Sequence, residues 1–268
     1  MQSMTIVKRA LRWTAVSAVL AIAGCADEPP ASDPDAVAEF KQTNDPLEPT
    51  NRAIFDFNTK AETYFLDPIA RGYRYTVPPF GRDRVSDFLS NLDEPVVFLN
   101  DVLQGNSSLA CKAVERFALN TTFGVFGIMD VATPLGIHSH EADFGQTLGV
   151  WGVESGPYLV LPFFGPSSAR DGVGMGVDLV ADPWSWYLTD HNLNWVSWAR
   201  FGVDAVSKDE AYMDFLDDLR RTSLDYYAAM RSLSRQRREA LIRAGKDDIE
   251  VANDRRRPDY APTTNPMK

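Results

Sequence analysis

Cys25 closes the run Leu20-Ala21-Ile22-Ala23-Gly24-Cys25, and a thiol at such a position has a defined chemistry. The basic start (Lys8, Arg9, Arg12) and the short apolar stretch from Trp13 to Ala23 belong to a secretory leader, since the stretch is too short for a comfortable permanent span. In this setting the thiol becomes a diacylglycerol-bearing thioether. The small Ala23-Gly24 pair admits the peptidase, and cleavage leaves lipidated Cys25 as the N-terminus. The plain alternative is an ordinary leader followed by a chance cysteine. Each buried acyl methylene contributes about 0.8 kcal/mol, so several chains anchor a protein firmly. Residues 1–24 are accordingly set apart from the fold as a signal peptide.

The remaining reactive groups are few. With Cys25 consumed, Cys111 has no intrachain partner, and no disulfide is expected. Its context, Leu109-Ala110-Cys111-Lys112-Ala113-Val114, is amphipathic and predicts a buried, inert thiol. His138, His140, Glu141 and Asp143 are rich in donor atoms, but they share a Gly/Pro-rich stretch with no second ligand group at a metal-site spacing. His191 stands beside Asp190 with no triad around it. There is no G-x-S-x-G elbow, no phosphate-binding G-x-x-x-x-G-K-[ST] loop and no H-E-x-x-H helix. Gly172-Val173-Gly174-Met175-Gly176 lacks the dinucleotide spacing and reads better as close helix packing. No catalytic residue, metal or cofactor is expected, and the chain cannot supply its own energy from a nucleotide.

The elements that would carry these groups are mostly helical. The 268 residues are 44% hydrophobic, enough for a sizeable core. Net charge is −10, and about −13 once Lys8, Arg9 and Arg12 leave with the leader, which argues against nucleic acid and against most anionic surfaces. Residues 25–43, with Pro29, Pro30 and Pro34 among acidic residues, read as a flexible tether. The body is expected over 44–205. Its first helix is capped by Thr50 or Asn51 and ended at Asp67-Pro68. A second runs from Arg84 to Leu92, and Asp93 and Pro95 start a third that breaks at Gly105. Asn106 or Ser107 caps the next, which stops before Gly124. No strand alternates with these helices, so a parallel sheet is not expected. Val150 to Pro162 is short, aromatic and broken by Gly and Pro, so it reads equally as helix or as loops and brief strands.

Trp184, Trp186, Tyr187, Trp195, Trp198 and Phe201 suit either a membrane-water interface or an aromatic core. An amphipathic helix is predicted from Lys208 to Ala244, within a C-terminal segment 206–246. Its arginines Arg231, Arg235, Arg237, Arg238 and Arg243 are placed at a helix C-terminus, answering the macrodipole or else a lipid headgroup or acidic partner. Residues 247–268 read as a disordered tail.

Several ordered blocks resemble the MlaA/VacJ family of outer-membrane lipoproteins. They are Asn44-Asp45-Pro46-Leu47-Glu48-Pro49-Thr50-Asn51-Arg52, Asn91-Leu92-Asp93-Glu94-Pro95, Arg116-Phe117-Ala118-Leu119-Asn120-Thr121, Phe144-Gly145-Gln146-Thr147-Leu148-Gly149 and the stretch from Gly156 to Ser167. The resemblance implies a mainly α, ring-shaped, membrane-embedded domain in the inner leaflet of the outer membrane, with a central amphipathic channel and a C-terminal amphipathic helix. Family members remove phospholipid misplaced in the outer leaflet and pass it to the periplasmic carrier MlaC, while bound to trimeric porins of the OmpC/OmpF type. Short helices packed this way satisfy their own backbone without any one of them spanning. Ala26 after Cys25 implies delivery to the outer membrane under the enterobacterial sorting rule.

The family's channel-bordering hairpin maps to Gly124-Val125-Phe126-Gly127-Ile128-Met129-Asp130. Glycine there allows the bend, and the apolar residues would face acyl chains. Phe126 stands where the family often has glycine, so it either stiffens a hinge or narrows a passage. Glu154 and Ser234 also depart from the family pattern. Asn120, Thr121 and Asp130 are polar candidates for a headgroup route, though capping and helix packing explain them equally. A lipid hydrolase and a purely structural porin-associated lipoprotein are the alternatives to transport.

Overall fold

A computed structural model describes residues 43–255. Cys25, the leader and all but the last residue of the expected tether lie outside the described residues, as do residues 256–268. The elements in order are α1 (Glu48–Ala61), a π-helical turn (Glu62–Leu66), α2 (Asp67–Thr76), α3 (Pro79–Gln104), α4 (Ser107–Thr122), a 3-10 turn (Thr133–Leu135) and α5 (Phe144–Val150). There follow β1 (Tyr158–Leu161), β2 (Gly165–Ser168), α6 (Ala169–Ala181), α7 (Pro183–Asp190), α8 (Asn194–Thr222) and α9 (Tyr226–Arg255). These form two compact units, one holding the described residues up to Ala61 with Ser155–Ala169, the other Glu62–Glu154 with the residues from Arg170 on.

In the first unit, α1 packs beside an antiparallel hairpin in which Tyr158 faces Ser168 and Leu161 faces Gly165. Neither Thr50 nor Asn51 caps α1, because the helix already begins at Glu48. Asn51 is instead buried and serves the strand. Its amide donates to the Asp45 carboxylate at 2.7 Å and to the Tyr158 carbonyl at 3.0 Å, and its oxygen accepts the Val160 N–H at 3.0 Å. Two helical turns on, Asn58 donates to the Leu161 carbonyl and accepts the Phe163 N–H, each at 2.9 Å. Two side-chain amides thus satisfy backbone groups along β1 that strand pairing leaves open.

The second unit corrects several expectations. The chain does not stop at Asp67-Pro68, because Pro68 falls in the first turn of α2, where a missing N–H costs nothing. The π-helical turn before it keeps the path helical. Likewise α3 is one helix of 26 residues with Pro95 inside it, not two. An internal proline costs about 3 kcal/mol. Packing of α3 against α4 and the contacts of its neighbour Glu94 offset that here. Asp93, expected as an N-cap, pairs with Arg200 at 2.6 Å. The break at Gly105 (φ 77°) and the Asn106 cap, whose oxygen accepts the Leu109 N–H at 3.1 Å, stand as predicted.

The C-terminal helix expected as one is two, because Ser223 turns extended and the Asp225 carboxylate caps α9 through the Ala228 N–H at 3.1 Å. Helix α9 also runs through Arg255, past the start expected for the tail. Arg231, Arg235, Arg237 and Arg238 therefore sit in the first half of a helix and Arg243 well short of its last turn, where the macrodipole does not favour them. Two are answered by carboxylates outside α9: Arg237 by Glu141 at 2.6 Å and Arg238 by Asp143 at 2.6 Å.

Burial runs contrary to that of an ordinary soluble domain. The largest fully buried side chains include Asn100, Asn106, Thr147 and Asp101 of the second unit, whereas Phe80, Phe123, Trp186, Trp195 and Trp198 are exposed, Trp198 by 75%. The aromatic-core reading of the tryptophan cluster is overturned for these residues, although Trp184 does reach inward to donate to the Leu92 carbonyl at 2.9 Å. Cys111, expected to be buried, is exposed. No helix among the described residues is long and apolar enough to cross a membrane.

Candidate functional site

The segment 123–137 follows α4 and has two halves of opposite character. Its base is polar. On the buried stripe of α4, Arg116 and Asn120 lie one turn apart beside Ala113. Asn120 accepts the N–H groups of Val131 and Ala132 at 2.9 and 3.0 Å. Arg116, with 3% of its side chain exposed, donates to Glu94 at 2.7 Å, to the Ile137 carbonyl at 2.6 Å and to Asp130 at 3.1 Å. The Asp130 carboxylate also accepts the Thr133 N–H at 3.0 Å and hydroxyl at 2.5 Å, and the Ala132 N–H at 3.1 Å. Burial pushes its pKa up, but the Thr133 hydroxyl and N–H and the Arg116 guanidinium outweigh that and hold it at about 2. So saturated a carboxylate acts as an anchor and not as an acid or base.

The tip is apolar. Phe123, Val125 and Phe126 are 71%, 56% and 75% exposed, and Ile128 and Met129 stand out beside them. No strand pairing occurs in this expected hairpin; it is a stack of turns, closed by Phe126 N–H to Thr121 carbonyl (3.1 Å), Gly127 N–H to Asn120 carbonyl (2.9 Å) and Met129 N–H to Gly124 carbonyl (2.9 Å). The chain coils back through three successive positive φ values, 54° at Val125, 58° at Phe126 and 89° at Gly127. A β-branched and an aromatic residue in that region are strained by roughly 1–2 kcal/mol each. At Gly127 the need is also steric, since a Cβ would collide with the Asn91 amide. A Cβ on Gly124 would likewise meet the backbone oxygens of Met129 and Asn120. Asn91 itself is fixed by donating to Thr121 at 3.1 Å.

The polar candidates Asn120, Thr121 and Asp130 are therefore brought together, as the clamp that sets the loop. Arg116, Glu94 and Asn91 belong to the same constellation. The available signal was a charged residue on the apolar stripe Ala110-Ala113-Arg116. The donor cluster of 138–143 is dispersed: His140 meets Asp101 at 2.8 Å, Glu141 meets Arg237, and Asp143 caps α5 through the Gln146 N–H at 2.8 Å. The other ring nitrogen of His140 has no hydrogen-bond partner among the described residues, so this pair holds no hydroxyl or thiol to activate.

Comparison with known proteins agrees with the chain's construction. The family model described as MlaA lipoprotein matches residues 43–241. An intermembrane phospholipid transport system lipoprotein MlaA of Shigella flexneri is 34% identical over 208 residues, 76% of this chain and 80% of its own length. The protein of the same description from Haemophilus influenzae is 32% identical over 241 residues, 87% of this chain and 90% of its own. A solved chain, from work on the structural basis for maintenance of bacterial outer membrane lipid asymmetry, superposes with a TM-score of 0.66 at 35% identity. It covers 74% of this chain and 98% of that one.

Proposed function

Because this chain belongs to the MlaA lipoprotein family, we propose that it is an outer-membrane lipoprotein of intermembrane phospholipid transport, removing phospholipid misplaced in the outer leaflet. In this reading the helices lie in the inner leaflet as a ring around an amphipathic channel. The loop from Gly124 to Asp130 borders that channel, and a periplasmic carrier of the MlaC type receives the lipid. A trimeric OmpC/OmpF-type porin holds the protein in place. Phospholipid is moved without being altered.

The observation that carries the reading is the loop itself, an apolar tip of Phe123, Val125 and Phe126 standing on a rigid polar base. A diacyl lipid needs an apolar wall for its chains and a fixed polar support behind it. The exposed Trp186, Trp195 and Trp198 further support contact with a membrane-water interface. Cys25 then positions the body in the correct leaflet more than it supplies affinity.

Protein purified in detergent should carry intact phospholipid by mass spectrometry, release it to an MlaC-type carrier and bring a porin with it. Free fatty acid or lysophospholipid accumulating with purified protein would favour a hydrolase. Intact lipid that is never passed on would favour a structural porin partner. Cys25→Ala should leave the body folded but fractionating away from the outer membrane.

A further inference from the structure

Helices α2 and α8 lie against one another through a ladder of arginines and acids. Arg74 bonds Glu210 at 2.8 Å and Asp214 at 2.9 Å, Arg82 also pairs with Glu210, and Arg71 bonds Asp217 at 2.9 Å. The ladder stops at Asp67 and Asp209. Neither forms an ion pair or a side-chain hydrogen bond among the described residues, although both are only 8% exposed. Oxygens of Glu62, Asp67 and Asp209 all lie within 4.8 Å of one another.

We propose that Glu62, Asp67 and Asp209 form a binding site for one hard divalent cation of the calcium kind, tying the π-helical turn and α2 to α8.

Three observations bear on this. The Oδ2 atom of Asp209 is buried without a hydrogen-bond partner, at a position where it costs stability unless something outside the protein satisfies it. Secondly, Glu62 and Asp67 are five residues apart, a spacing that an α-helix would turn to different faces. The π-helical turn between them, with its i to i+5 periodicity, brings both acids to the same side. Thirdly, the local charge does not balance. Among the described residues, the cations that act on Glu62 and Asp209 are Arg220, which bonds Glu62 at 3.1 Å and lies 3.8 Å from Asp217, and Arg71, which is held by Asp217. Four carboxylates against two guanidiniums leave an excess matched by one divalent ion.

The donors are all carboxylate oxygen, as hard cations require. Calcium holds its ligands at about 2.3–2.6 Å, so oxygens on opposite sides of it sit about 4.6–5.2 Å apart, while the shorter magnesium bonds draw ligands closer than this cluster need be.

The test is calorimetric titration with CaCl2 of the full-length protein, purified in detergent and stripped with EDTA, with thermal unfolding followed in parallel. One Ca2+ per chain and a Tm that rises with Ca2+ are expected. Asp209→Asn should weaken binding by about tenfold or more, as loss of one of three charged ligands implies. In EDTA that variant should melt no lower than wild type, since an unanswered buried carboxylate is gone. Glu62→Gln provides a second variant should Asp209→Asn fail to fold. No heat of binding with a Ca2+-independent Tm in wild type would overturn the proposal, as would wild-type affinity in the folded variants.

Discussion

Arg116 holds the Asp130 carboxylate at 3.1 Å from inside the helix that precedes the loop, while the same guanidinium pairs with one oxygen of Glu94 at 2.7 Å. One buried cation therefore links the proline-bearing helix α3, helix α4 and the base of the apolar tip. Replacing it by methionine would leave Glu94 buried with its charge unanswered. We expect Arg116→Met to destabilise the fold by about 3–5 kcal/mol, measured by chemical unfolding in detergent. Asp130→Asn, which keeps the shape and part of the hydrogen bonding, should cost clearly less.

The depressed pKa of Asp130 sets a pH dependence of definite sign. Its carboxyl titrates at about 2 in the folded protein against an ordinary 3.8, so the folded state holds the proton less tightly than the unfolded state. The stabilisation is complete above about pH 4 and is lost as pH falls towards 2. Thermal unfolding across that range should show a drop in wild type that is shallower in Asp130→Asn. An identical slope in both would remove Asp130 from the account.

Gly127→Ala should be costly twice over, for the positive φ and for the collision with Asn91. A loss of about 1–3 kcal/mol is expected. Asn91→Ala should recover part of the clash, because it removes the carboxamide at 2.3 Å but keeps the Cβ at 2.7 Å, giving a coupling above the additive limit of about 0.5 kcal/mol in a double-mutant cycle.

Phe126→Gly tests the strain at the tip. A phenylalanine that is 75% exposed and sits at φ 58° loses little packing when removed. Relief of the left-handed backbone, roughly 1–2 kcal/mol, should match or exceed the added freedom of glycine in the unfolded chain. The variant should melt at the wild-type temperature or above it, while its rate of lipid delivery changes. A clear fall in Tm would show that Phe126 packs in a way its exposure does not reveal.

Asn51→Ala addresses the other unit. It would strand the Tyr158 carbonyl and the Val160 N–H, both bonded to this one carboxamide. A loss of about 1–3 kcal/mol or more is expected, larger than for Asn58→Ala, whose partner Phe163 is exposed to water.

These residues show how far the sequence could be read. Helix type, the stop at Gly105 and the Asn106 cap were legible because each depends on a few neighbouring residues with one physical preference. Prolines misled for the opposite reason: whether Pro68 and Pro95 end a helix depends on its phase and on what packs beside it, which local pattern does not carry. Asn51 resembled a cap because its strand partners lie more than a hundred residues away. The loop from Gly124 to Asp130 was recognisable through family resemblance. Its clamp was not, because Arg116 occupies a position that periodicity assigns to an apolar residue. Exposure of Cys111 was missed because an amphipathic pattern does not say which residues beside the apolar stripe are covered, while for the tryptophans the sequence left interface and core both open.

If the apolar loop serves the removal of phospholipid from the outer leaflet, as proposed, loss of the protein must leave lipid there. The most direct measurement is the amount of phospholipid exposed at the cell surface, labelled with a membrane-impermeant amine-reactive probe, in cells whose gene for this chain has been deleted. Surface phospholipid should rise on deletion and be brought back down by wild type but not by a Gly127→Ala protein present at equal level in the outer membrane. Surface phospholipid unchanged by deletion, or fully restored by the variant, would contradict the proposal.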